Sequence, residues 1–198
     1  MSSPAPLPLE INRAAQRGEL QKVVKWLRKG GLVDAFCSTS TRDGRVSTAA
    51  LMHIAATHSH FEIVRELLKR GASVDLQTSL GVTALMEVAG NGCLSILRVL
   101  LQHSANPELQ DNYGCGALMR AADGGHEACV KALLRTKRNA EFLDEDGRTA
   151  MRTALLLAEA QGHKATVELI RQHAAPPPAA ASPLPPRLPA HRTLASPS

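Results

Sequence analysis

The chain has 198 residues with a formal charge of +5; apolar residues make up 44% of it but aromatics only 3%. That composition supports a core of Leu, Val, Ile and Ala in thin stacked layers rather than a deep aromatic-centred globule. No apolar run approaches the ~20 residues of a membrane helix, so membrane insertion is not expected. The start, Met1 to Glu10, lacks the basic and apolar regions of an export signal, and Cys37, Cys93, Cys115 and Cys129 show no Cys-x-x-Cys spacing. Reduced thiols inside a cell are therefore expected, in the cytoplasm rather than the nucleus.

Residues 1–8 read as a disordered leader. A first unit, 9–34, follows, in which a helix bearing Val23, Val24 and Leu27 is made polar on its other side by Lys22, Lys25, Arg28 and Lys29. An end unit of a stack needs such a polar outer face. This basic patch is read as a solvated cap, with nucleic-acid binding through the cap and tail as the alternative. The segment Phe36 to Ser47, rich in Ser, Thr and Arg, breaks the spacing before a second unit, 35–75. From there the text repeats. Gly81, Gly114 and Gly147 are spaced by 33 residues, and Leu68, Leu101 and Leu134 keep the same interval. Gly81-Val82-Thr83-Ala84-Leu85-Met86 returns as Gly114-Cys115-Gly116-Ala117-Leu118-Met119 and as Gly147-Arg148-Thr149-Ala150-Met151-Arg152.

The unit 76–108 shows how each copy is built. Thr83 caps a short helix whose face carries Leu85, Val88 and Ala89, and Gly90-Asn91-Gly92 ends it. Ile96, Leu97, Leu100 and Leu101 form the stripe of a second helix, stopped at Ser104-Ala105-Asn106-Pro107. An extended tip with Asp111, Asn112 and Gly114 leads into the unit 109–141. The last unit, 142–173, duplicates a Thr-Ala step at Thr149-Ala150 and Thr153-Ala154 and is expected to be distorted. Two helices of this length cannot bury their apolar faces alone, so the copies stack.

At these residues the chain resembles the ankyrin-repeat family. Ala55-Ala56 and Ala121-Ala122 match its alanine pair, Gly125-His126 and Gly162-His163 its Gly-His step, and Gly71-Ala72 its closing turn; Ser59-His60 and Gly92-Cys93 match the Gly-His step in part. The resemblance spans about residues 9–173. It implies an all-α helix-turn-helix solenoid of about five repeats with short extended tips. In the departures, Ala84, Ala117 and Ala154 stand where the family has proline, and Met86 and Met119 where it has histidine. The family's histidine survives as His53, so hydrogen bonds between repeats are expected to be missing at the methionines. Gly116 replaces a capping threonine, which weakens that helix start by a few tenths of a kcal/mol.

From Ala174 to Ser198 the chain turns to Ala, Pro and Ser and reads as a disordered tail of polyproline character. Pro183-Leu184-Pro185-Pro186-Arg187 only partly matches a proline-directed ligand, since Ser182 stands where that pattern needs proline.

No Gly-x-Ser-x-Gly, phosphate loop or His-Glu-x-x-His is present, so no enzyme, cofactor or metal is expected. His53 and His58 are five residues apart, off the i, i+4 spacing that would share a helical face. Asp144-Glu145-Asp146 reads as a charged solvent-facing turn. Cys93 and Cys129 fall at packing positions, whereas Cys37 and Cys115 fall in turns and are expected to be exposed.

What the resemblance implies is a monomeric module binding another protein on its concave side, as an adaptor, scaffold or inhibitor; the alternatives are a nucleic-acid-associated protein acting through the cap and tail, or a fragment of a larger repeat protein. The tip candidates are Gln77, Ser79, Leu80, Val82, Gln110, Asn112, Tyr113 and Cys115, then Glu145, Asp146 and Arg148. Those on first helices are Glu87, Asn91, Arg120 and Asp123. Tyr113 leads among them, since a tip tyrosine offers apolar area with a polar end; Leu80 and Val82 are expected as exposed apolar tips.

Overall fold

A computed structural model of the chain describes residues 6–40, 46–137 and 145–174. Its helices come in pairs: α1 (Leu9–Gln16) with α2 (Leu20–Arg28), α3 (Leu51–Thr57) with α4 (Phe61–Lys69), and α5 (Ala84–Gly90) with α6 (Leu94–Gln102). They continue as α7 (Ala117–Asp123) with α8 (Glu127–Lys137), and α9 (Glu145–Ala160) with α10 (Lys164–Ala174). The first helices pack in the order α1, α3, α5, α7, α9, and the second helices in the order α2, α4, α6, α8, α10. The fold is an all-α repeat solenoid of two helical rows.

The core lies between the rows and is thin, as the composition requires. Leu85, Val88 and Ala89 of α5 face Ile96, Leu97 and Leu100 of α6, all buried. Small residues at the alanine pairs, Ala55-Ala56 and Ala121-Ala122, are fully buried and let neighbouring first helices approach closely. Each buried Leu or Ile contributes ~1.5–3 kcal/mol. Thr83 caps α5 as its sequence predicts, Oγ1 accepting from the Met86 N–H at 3.3 Å. Gly116 gives α7 no side-chain cap.

Adjacent repeats are tied by a row of side-chain bonds that the sequence only partly foretells. The ring N–H of His60 donates to Gln16 O at 2.8 Å, that of His126 to Gly90 O at 2.9 Å, and that of His163 to Asp123 O at 2.9 Å. Each ring lies over the turn residue of the preceding repeat. At Gly92 (φ +70°) and Gly125 (φ +67°) an added Cβ would come within 2.5 Å of the His126 and His163 rings. Glycine is needed there twice over, for its left-handed backbone and for its missing side chain. Cys93 is the exception to the histidine row, and Ser59 (φ 59°), in the turn that precedes it, is the exception to the glycines. The two departures fit each other: the smaller Cys93 leaves room for Ser59, whose Oγ is bonded to the Cys93 sulfur.

Several expectations need correction. Leu7, assigned to a disordered leader, is buried, and its N–H donates to Phe36 O at 2.7 Å. An apolar residue just before α1 finds the same core that α1 serves. The insertion after the first repeat is a hairpin, β1 (Phe36–Ser40) antiparallel to β2 (Val46–Ala50). Its Phe36↔Ala50 pair matches the single Gln77↔Thr83 and Gln110↔Gly116 bridges of the next two tips, so the insertion lengthens a tip. Cys37, expected in an exposed turn, lies on β1 and is half-buried, accepting from Asn12 Nδ2 at 3.2 Å. Gly147 is no turn. It falls inside α9, which runs for 16 residues and takes in both Thr-Ala steps. The register of the other repeats resumes at buried Ala154. Residues 1–5 and the tail from 175 onward lie outside the described residues.

Candidate partner-binding groove

The first-helix row and the tips enclose a groove of about 610 Å³. One wall is the first-helix row: Gln16 of α1, Ile54 and Thr57 of α3, Glu87 and Gly90 of α5, and Arg120 and Asp123 of α7. The other comes from the tips and the hairpin, through Ser47, Ala49, Thr78, Leu80 and Val82. The hairpin is fastened to the next tip, since the Thr48 N–H donates to Ser79 Oγ at 3.1 Å.

Six candidate residues meet in this groove: Leu80, Val82, Glu87, Asn91, Arg120 and Asp123. Val82 is not an exposed tip; its side chain is buried, and its carbonyl accepts from His53 Nε2 at 3.0 Å. Leu80 is half-buried rather than exposed. The residue before a cap turns inward with the chain, which its apolar character already favoured. Asn91 is exposed but structurally engaged: its Nδ2 donates to Thr57 O at 3.0 Å. It thereby replaces the bond that a histidine at Cys93 would make. Asn91→Ala is expected to lower stability by about 1 kcal/mol, read as a lower urea midpoint; Asn91→Asp, which loses the donor, should cost at least as much.

Arg120 is engaged too. Its Nη2 donates to Asp111 Oδ2 at 2.8 Å, and Asp111 Oδ1 accepts the Tyr113 and Cys115 N–H groups at 2.9 Å each. This buried carboxylate shapes the whole tip. Asp123 accepts from Gln161 Nε2 at 3.1 Å. Glu87 is half-buried at the groove with no side-chain hydrogen bond or ion pair among the described residues.

The remaining tip candidates lie outside the groove. Gln77 Nε2 donates to Gly81 O at 2.7 Å and to Gln110 O at 3.2 Å, and Asn112 Nδ2 to Ser79 O at 3.1 Å, so Gln77, Ser79, Gln110 and Asn112 join tip to tip. Tyr113 is 61% exposed. Cys115, expected to be exposed, is half-buried, and burial pushes its thiol up, helped by the charges of Asp111 and Asp123. Burial likewise raises the thiols of Cys37 and Cys129, making all three less reactive than an open cysteine. Glu145, Asp146 and Arg148 belong to α9 instead of a tip, and their side chains lie outside the described residues.

Ile54 and His58 were missed, although the repeat contains them. One 33-residue step back from Glu87 is Ile54, and one step back from Asn91 is His58. The histidines of the second repeat are structural in two of three cases. His53 is buried and bonds Leu76 O, Val82 O and the Ala50 N–H, while His60 ties the second repeat to the first. Among the described residues no such bridge forms at the methionine positions; the Met86 sulfur accepts from Thr83 N–H in its own repeat. Among the described residues, no three His, Cys, Asp or Glu side chains are grouped to hold a metal ion, and no helix is long and apolar enough to cross a membrane.

Residues 11–111 and 85–179 match the family profile described as ankyrin repeats (3 copies). The chain belongs to the ankyrin-repeat family. Ankyrin repeats are in general protein-interaction modules, and the family is typically non-catalytic. The comparison with curated proteins gave no match. In this ankyrin-repeat chain the groove lies on the side of the first helices α1, α3, α5 and α7.

Proposed function

We propose that the chain is a non-catalytic interaction module, an adaptor, scaffold or inhibitor, that holds a segment of another protein in the groove. The observation that carries this reading is the groove itself, to which four successive first helices and the lengthened tip all contribute. A concavity of this size, with apolar and polar groups converging, is the ordinary form of a binding site. Its four free cysteines suit a reducing compartment inside a cell.

Gly90 gives a steric test. It ends α5 with an ordinary helical backbone, and an added Cβ would meet only Arg120 Cβ at 3.6 Å. Gly90→Trp therefore fills the groove without straining the helix, while Gly90 O still accepts from His126. A protein retained by the immobilised chain should be lost from Gly90→Trp and kept by Lys25→Glu/Arg28→Glu, which alters only the basic cap. Equal retention by wild type and Gly90→Trp would remove the groove from the function. Loss confined to the cap variant would move binding to the cap.

A further inference from the structure

We propose that the segment held in the groove is basic, with a Lys or Arg side chain set beside an apolar anchor. The inference rests on the groove being the binding site. The chain as a whole is positive at +5, yet the groove is not. Glu87 and Asp123 line it as carboxylates, and Arg120 is the only Lys or Arg among the described residues of its wall. That guanidinium is already bound to the buried Asp111 carboxylate, 2.8 Å away. Taken together, the pair adds no net charge, which leaves two carboxylates facing the occupant without a cation. Glu87 has no hydrogen-bonding or ionic partner among the described side chains, and Asp123 has only the neutral amide of Gln161.

An acidic segment would meet like charge here, with the one guanidinium already engaged. A cationic side chain would meet two carboxylates from adjacent first helices, in a concavity where the field is stronger than on an open surface. The groove also has an apolar end. Ile54 of α3, with Ala49 and half-buried Leu80, lies on the hairpin side of Glu87. Packed helices stand ~8–10 Å apart; Asp123 on α7 is two steps from Ile54 on α3, and Glu87 on α5 is about one step from it. An extended chain covers the step to Glu87 in about three residues, at ~3.3 Å each. The occupant that fits has an apolar side chain and, three residues on, an arginine or lysine.

The test uses the full-length chain, isotopically labelled for NMR. It is titrated with the peptide acetyl-Gly-Leu-Ser-Ala-Arg-Ser-Gly-amide and with counterparts carrying Gln or Glu in place of Arg. The Arg peptide should shift the amide resonances of Thr57, Glu87, Asn91 and Asp123, and the Glu peptide should not. Glu87→Gln with Asp123→Asn removes both charges but keeps shape and the Gln161 acceptor, and should weaken the Arg peptide about tenfold. Raising salt should weaken it further, because screening shortens the reach of exposed charges to ~3 Å at 1 M. Equal shifts from the Glu and Arg peptides, or no groove shifts from the Arg peptide, would overturn the proposal. Shifts of the same resonances in Arg187→Gln/Arg192→Gln without any peptide would make the chain's own tail the occupant and overturn a separate partner. If Gly90→Trp abolishes protein capture while the double charge variant captures normally, the groove reading stands and the basic-partner inference fails.

Discussion

Arg120→Met is expected to lower the stability of the repeat stack by about 2 kcal/mol. The effect comes from what is left behind. Asp111 has a side chain only 2% exposed, while that of Arg120 is 32% exposed. Removing the cation strands one oxygen of a buried carboxylate; a fully buried pair would lose more, but water reaches the Arg120 side and softens the loss. The other oxygen keeps the Tyr113 and Cys115 N–H groups, so the tip should loosen without falling apart. Urea midpoints of Arg120→Met, Asp111→Asn and the double variant would check it. The double variant should be less destabilised than the sum of the two, because Arg120→Met no longer strands a charge once Asp111 is gone. Strict additivity would mean that the pair is not coupled.

His53→Leu should cost about 3 kcal/mol. Leucine fills similar space, so the loss is polar. Leu76 O and Val82 O lose the Nε2–H they share, at 2.8 and 3.0 Å, and the Ala50 N–H loses the Nδ1 acceptor at 3.2 Å. These three bonds join the second repeat to the third tip and hold the start of α3. Burial lowers the His53 pKa from the ordinary 6.5, opposed in part by the carbonyls of Leu76 and Val82. The neutral ring is the form that fits, since a proton on Nδ1 would displace the Ala50 N–H. The fold therefore has the full contribution of His53 above about pH 6.5. That contribution falls as pH drops toward the lowered folded value. The stability gap between wild type and His53→Leu should accordingly narrow in acid. A gap that widens would mean that the protonated ring is the better-held form.

The architecture was legible in the sequence because its causes are local. Thr83, the alanine pairs and the Ile96-Leu97-Leu100 stripe each act within one repeat, and the 33-residue spacing repeats them. What escaped depended on contacts across repeats. Val82 looks like a tip residue until the chain turns it inward over His53. Asn91 looks like a free polar group until Thr57 O is seen to lack a histidine. Gln77 and Asn112 offer amides at the tips, and neighbouring backbone takes them. Inserted residues escaped for another reason: Phe36–Ser40 has paired with Val46–Ala50, and Glu145–Ala150 has joined a helix, because neither is constrained by the repeat. The groove candidates on first helices came from the exposed face that the resemblance implies, and Ile54, 33 residues before Glu87, was missed because that face was followed only in the third and fourth repeats.

The bonds between repeats also bear on how the chain reaches this state. The links from His60 to Gln16, Asn91 to Thr57, His126 to Gly90 and His163 to Asp123 span 44, 34, 36 and 40 residues. Every one joins neighbours, so each can close without waiting for any other. Chains dominated by short-range contacts fold fast, since little loop entropy is lost before contacts form. Folding can therefore start at one interface between repeats and propagate to either side. The second and third repeats hold most of the large fully buried side chains, Leu51, Met52, Ile63 and Leu67 with Leu85, Met86, Ile96, Leu97 and Leu100, so growth is expected to start there, with the ends closing last and fraying first.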